Sequence, residues 1–137
     1  MKTKLKAPQR PGMAKNWIYR RGDIYLVDFD PVMGSEQGGI RPAITLSNDV
    51  GNYFSTMLSV TPLTSRLKRT DLPMHLVIKR TGGLSEDSVA CVEQTRPIDK
   101  MRIIRYLGKV SREQIEKIAD AASEHIRNPI PETIEAP

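Results

Sequence analysis

The chain has one cysteine, two histidines and no long apolar run, and each scarcity excludes something. A lone Cys91 cannot build an internal disulfide framework and fits a reducing compartment, so the expected location is the cytoplasm. It alternates with Val89 along an apolar run, which reads as burial rather than nucleophilic use. No stretch approaches the roughly 18 apolar residues of a membrane helix, and the basic N-terminus lacks the apolar segment of a signal peptide. No membrane association is expected. His75 opens a predicted strand and His125 lies in the terminal helix, so the two do not suggest an acid–base pair.

Acid is missing from one region in particular. Residues 1–21 carry seven basic side chains and no acidic one, while residues 22–127 carry 14 of each, so the net charge of +5 belongs to an N-terminal arm. Such arms are often disordered and soluble. Residues 1–19 are read as that arm, with Trp17, Ile18 and Tyr19 docking it to the core. Residues 20–127 are read as one domain with a single core, and the proline-bearing residues 128–137 as a loose tail. Two basic runs stand out within the neutral span. One holds Arg66, Lys68, Arg69, Lys79 and Arg80; the other holds Arg96, Lys100, Arg102, Arg105, Lys109 and Arg112. Folded side by side they would make a phosphate-binding patch; the alternative is two solvated strand ends.

Strand signals dominate what is present. Gly22–Asp30 alternates with apolar character on both faces, and Pro31 ends it. Further strands are expected at Ala43–Ser47, Met57–Leu63, Met74–Lys79, Ser88–Glu93, near Gln94–Ile98 and at Tyr106–Val110. Asn48–Asn52 reads as turn chemistry, and Pro62, lacking a ladder donor, marks an edge or strand end. Ser111–Arg127 is the one clear helix. Ser111 and Gln114 make a capping box, and Ile115, Ile118, Ala119, Ala122 and Ile126 form the apolar stripe. Many short strands followed by one helix indicate a mainly β (α+β) domain, a small curled sheet or barrel.

The stretch Gly34-Ser35-Glu36-Gln37-Gly38-Gly39-Ile40-Arg41-Pro42 lies between the first two strands. Three glycines permit positive φ and close approach of a ligand. Pro42 restricts both itself and Arg41, so a pliable polar loop ends by presenting one guanidinium on stiffened backbone. This suits an anion clamp; the alternative is a long hairpin loop with a surface arginine. Asp28 and Asp30 share a strand face and raise a metal pair, but too few carboxylates converge, and strand-end caps are the better reading.

These residues together resemble the MazF/PemK family of toxin endoribonucleases. The resemblance rests on Arg21-Gly22-Asp23-Ile24-Tyr25, the Gly34–Pro42 loop, Asn48-Asp49-Val50-Gly51-Asn52, Leu72-Pro73-Met74-His75, Asp87-Ser88-Val89 and the run Glu93–Lys100. It covers about residues 20–125. It implies an SH3-like β-barrel with a C-terminal helix, paired as a homodimer, that cuts single-stranded RNA by attack of the 2′-hydroxyl, without metal or other cofactor. It also implies a cognate antitoxin, acidic and partly disordered, laid across a basic groove. The family's catalytic arginine falls on Arg41 and its catalytic Ser/Thr on Thr64. Its RNA-contacting positions fall on Glu36, Asn48, Asn52, Ser88, Glu93 and Gln94.

The chemistry of the residue types agrees with those roles. An arginine side chain is a poor base, so Arg41 is expected to hold developing phosphorane charge. Thr64 would bond a non-bridging oxygen and fix the in-line angle. Glu36 would take the 2′-hydroxyl proton or only bind a base. Asn48, Asn52 and Gln94 carry amides suited to base edges, and equally suited to turns. A gyrase poison of the CcdB kind and a non-catalytic RNA-binding barrel are the competing readings.

Overall fold

The structure is a computed structural model that describes residues 13–66 and 69–127. Most of the expected arm and the whole of the expected tail fall outside the described residues, as does Lys68. Among these residues seven strands form one antiparallel sheet: β1 (Asp23–Asp28), β2 (Ile40–Thr45), β3 (Met57–Thr64), β4 (His75–Ile78), β5 (Ser88–Cys91), β6 (Arg96–Asp99) and β7 (Ile103–Lys109). Two helices complete it, α1 (Asp49–Phe54) and α2 (Arg112–Ile126). The strands pair in the order β4-β5-β3-β2-β1-β7, and β6 also pairs with β3.

β3 organises the sheet. One edge pairs with β2, Ala43 lying opposite Pro62. The other edge pairs first with β6, from Met57 to Val60, then with β5, at Leu63 and Thr64. The 3-10 turn Val92–Gln94 absorbs the change of register between β5 and β6. Of the edge and strand-end readings of Pro62, the edge is not met, and the residue lies two positions before the end of β3. It sits where β3 passes from one partner to the other, so the ladder loses no donor there.

The sheet curls until its ends meet without closing. The turn after β4 reaches β7, where the Gly83 N–H donates to the Leu107 carbonyl. Gly82 sits at φ +56°, and a Cβ there would meet the Leu107 oxygen at 2.6 Å. Only glycine combines that dihedral with that approach.

Because β1 alternates, its two faces enter two different cores. Ile24 joins Ile44, Leu63 and Ala90 under α2, which inserts Ile115 and Ile118. Tyr25, Val27 and Phe29 join Ala43, Leu58, Val60, Ile98 and Ile103 on the other face. The capping box at Ser111 and Gln114 forms as the sequence predicts. The stripe stops short, however: packed contacts end at Ala122, and Ile126 is 81% exposed.

Asn48–Asn52 is not a simple turn. Asn48 caps α1, its Oδ1 accepting from the Gly51 N–H at 2.8 Å. Trp17 and Tyr19 pack on the second core, whereas Ile18 stays 48% exposed. The Trp17 Nε1–H donates to the Tyr25 hydroxyl (2.8 Å), which donates to Asp23 Oδ2 (2.6 Å). Burial first, and then the Asp23 carboxylate, push the Tyr25 phenol well above the usual tyrosine range.

A phenol that resists ionisation only when folded stabilises the protein below the unfolded tyrosine pKa of about 10, and that stability is lost as pH rises above it. The melting temperature is expected to fall between about pH 9 and 11, and to fall less in Tyr25→Phe. At neutral pH that variant is expected to be about 1–3 kcal/mol less stable, because Trp17 and Asp23 lose a buried partner. Thermal melts of the two proteins across that range check both statements.

Candidate active site

β1 hands over to a loop that folds back on itself before β2 begins. The Phe29 N–H donates to the Gly39 carbonyl at 3.0 Å, and the Gly39 N–H donates to Asp30 Oδ1 at 2.9 Å. Gly38 lies against this pin: a Cβ there would meet Val32 Cγ2 at 2.6 Å and Asp30 Oδ1 at 2.8 Å. Asp28 Oδ1 accepts from the Asp30 N–H. The two aspartates are thus turned to the loop's own backbone, which is the cap reading.

From the far side the loop is tied by Gln94. Its Oε1 accepts from the Gln37 N–H at 3.3 Å, and its Nε2 donates to the Ser35 carbonyl at 3.5 Å. Glu36 closes a local turn, its Oε1 accepting from the Met33 N–H at 2.8 Å.

Arg41 leaves this loop on β2. Its Nε–H donates to the Gly38 carbonyl at 2.8 Å and one terminal nitrogen to the Leu63 carbonyl at 3.4 Å. A guanidinium has five N–H donors, so these two bonds aim the group and leave donors for a ligand. The β2–β3 register, with Ala43 opposite Pro62, extends two residues to set Arg41 across from Thr64. Residues two apart on a strand share a face, so both side chains emerge together.

They line one cleft of about 300 Å³ with Arg66, Ser85, Glu86 and Ser88. Thr64 is 8% exposed, and its Oγ1 accepts from the Arg66 N–H at 3.2 Å, which leaves the hydroxyl hydrogen to be donated. Arg41 and Arg66 beside these hydroxyls could hold an oxyanion such as phosphate, with Glu86 the one carboxylate among the described lining residues.

Of the expected site residues, the fold brings Arg41, Thr64 and Ser88 into the cleft. Glu36 lies in the loop before β2, and Gln94 ties that same loop from outside. Glu93 turns away: its Oε2 lies 2.7 Å from the Nε2 of buried His75, whose Nδ1 lies 3.1 Å from the Arg69 carbonyl. Asn48 caps α1, and fully buried Asn52 bonds Ser47 through both its side-chain oxygen and nitrogen.

Glu86 and Ser85 were not singled out from the sequence. The one available signal was a carboxylate in the turn that leads to Ser88. The second basic run does not join the cleft. Arg96 lies over Phe29, Lys100 donates to the Asn52 carbonyl, Arg102 to the Asp28 and Asp30 carbonyls, and Lys109 pairs with Asp23.

A curled antiparallel sheet with one terminal helix, and a cationic hydroxyl-lined cleft where β2 and β3 begin and end, defines a small barrel-like protein built to grip an anion. Residues 20–126 match the family described as PemK-like, MazF-like toxins of type II toxin–antitoxin systems, and the chain belongs to that family. It is 40% identical over 105 residues to the endoribonuclease EndoA of Bacillus subtilis, covering 76% of this chain and 90% of that protein. Among solved structures it is similar in fold to MazF of Deinococcus radiodurans, with a TM-score of 0.71 and 24% identity, covering 81% of this chain and 98% of the other. It is also similar to a mycobacterial endoribonuclease solved in complex with its cognate antitoxin, with a TM-score of 0.64 and 19% identity over 81% of this chain and 99% of that one.

The contact of Gly38 with Val32 is testable by stability alone. Gly38→Ala is expected to cost about 1–3 kcal/mol by overpacking. Val32→Ala removes one of the two obstructing groups, so the double variant is expected to be less unstable than the sum of the singles by about 1 kcal/mol. Urea unfolding of the four proteins measures this coupling.

Proposed function

We propose that the chain is the toxin of a type II toxin–antitoxin pair and acts as an endoribonuclease on single-stranded RNA. The observation that carries this reading is the placement of Arg41 and Thr64 across one strand pair, opening into one cleft.

In the proposed reaction the ribose 2′-oxygen attacks the adjacent phosphorus. The new O2′–P bond forms as the P–O5′ bond breaks, leaving a 2′,3′-cyclic phosphate and a 5′-hydroxyl end. The 2′-hydroxyl proton passes to a base and the departing O5′ takes up a proton, so no water or metal enters the balance of this step. Arg41, aimed by Gly38 and Leu63, holds the charge that grows on the phosphorane oxygens. Thr64 bonds a non-bridging oxygen and sets the in-line angle. Ser88 supports the same phosphate.

Glu86 lines the cleft, which supports it as the acceptor of the 2′-hydroxyl proton. Glu36, bonded to Met33, holds the loop and meets RNA outside the cleft. Gln94 serves the loop in the same way. We assign Asn48, Asn52 and Glu93 to the framework, since each has its side chain in an internal bond.

The partner is an antitoxin whose acidic segment competes with RNA for the Arg41 and Arg66 side of the molecule. The toxin works as a homodimer in the cytoplasm. Edge strand β4, with exposed Val77 and the apolar groove of Met74, Leu76 and Ala121 beside it, supports such a pairing.

Purified protein is expected to cut unstructured RNA in excess EDTA and to leave 5′-hydroxyl ends. Arg41→Ala is expected to lower the rate about 10²–10³-fold and Thr64→Ala about 10²-fold, with unchanged far-UV circular dichroism. RNA left intact while DNA supercoiling fails would favour gyrase poisoning, and RNA bound but uncut a binding barrel. For the proton acceptor, Glu86→Gln is expected to lower kcat about 10²-fold, whereas Glu36→Gln is expected to raise KM and spare kcat. The reverse pattern would return the base to Glu36.

A further inference from the structure

A second cavity lies away from the cleft. It measures about 480 Å³ and is lined by Lys15, Trp17, Tyr19, Asn52, Tyr53 and Lys100, among others. Its position follows from β3. Lys100 donates its backbone N–H to the Thr56 carbonyl, next to Met57 at the start of that strand, while Thr64 ends it. At about 3.3 Å per residue the two ends are roughly 23 Å apart. Residues 15–19 precede the span that matches the toxin family, so this wall is built by a segment outside the shared domain.

The lining is aromatic, cationic and amidic, with no acidic side chain among the described residues that form it. Tyr53 is 66% exposed and touches Phe54 edge-on at 4.9 Å, which leaves a ring face open. Trp17 is braced by Tyr106 at 5.0 Å and by its bond to Tyr25. The Lys100 ammonium sits 4.8 Å over the Tyr19 ring and donates to the Asn52 carbonyl at 2.7 Å. Partial burial depresses its pKa, so an anion beside it would offset lost hydration. Asn16 adds an amide at the rim.

Ring faces to stack on, ammoniums for a phosphate and an amide for a base edge are together the recognition set for an unpaired nucleotide. The volume falls within the range of small-ligand sites. A lipid or an acidic peptide would leave the exposed ring face without a planar partner. Resting on the endoribonuclease reading of the cleft, we propose that this cavity binds one nucleotide, presented by an RNA strand that extends beyond the cleft.

Trp17 is the sole tryptophan of the chain, so its fluorescence reports the cavity directly. Arg41→Ala protein, which is expected to cut its ligand about 10²–10³-fold more slowly, is titrated with an RNA of about 12 nucleotides of mixed composition, within the span of single-strand sites, and separately with AMP. Saturable quenching by the RNA is expected. Tyr53→Ala is expected to weaken it about tenfold or more. Lys15→Ala is expected to flatten the dependence of log Kd on log salt by about one phosphate contact. Quenching by RNA alone places the ligand within a strand, and equal quenching by AMP identifies a free nucleotide at the same site. No quenching by either, or quenching that Tyr53→Ala and Lys15→Ala leave unchanged, overturns the proposal. Cleavage by the wild-type protein is read from its products, so the cavity and the cleft can fail independently.

Discussion

A guanidinium is useful only if something holds it still, and here the holder is a carbonyl three residues upstream. The bond from Arg41 to Gly38 exists because the loop before β2 is pinned twice, by Asp30 on the Gly39 N–H and by Phe29 on the Gly39 carbonyl. That pin in turn requires glycine at 38, where no Cβ fits between Val32 and Asp30. Gln94 then ties the loop to the 3-10 turn that joins β5 to β6. Backbone geometry, not a charged neighbour, orients the cation. Among the described residues no carboxylate pairs directly with Arg41, so its remaining donors face the cleft, where an anion could take them.

The other wall depends on β3 changing partners. Eight residues long, it meets β6 at one end and β5 at the other, with β2 along the opposite edge. Pro62 occupies the changeover, and Thr64 follows where the strand is held by β5 and lies across from Arg41. The Arg41–Thr64 pairing is thus a consequence of register. A one-residue slip would send the hydroxyl to the opposite face.

Among the described residues, several cations of this basic chain do structural work. Arg102 clasps the end of β1, Lys109 offsets buried Asp23, and Lys100 joins α1 to the strand turn beside it. The residues before the family domain are likewise part of the architecture: Trp17 and Tyr19 extend the second core, and Trp17 completes a buried hydrogen-bond chain through Tyr25 to Asp23.

Local rules made much of this legible from the residues alone. The capping box of α2, the alternation of β1 and the stiffened arginine after a glycine-bearing loop are short-range properties, set by dihedral preference and side-chain period. The resemblance carried across residues 20–125 likewise rests on local motifs. What those motifs left open were questions of partner. Asn48 and Asn52 look alike as exposed amides until α1 forms, when one becomes a cap and the other is buried. Pro62 looks like an edge until β3 is seen to change neighbours. Glu86 has no distinction in the chain, and enters the cleft only because the β4–β5 turn folds beside β3. Composition and local propensity set the elements; which side chains share a cleft was decided by strand register and curl, because those depend on contacts between residues far apart in sequence.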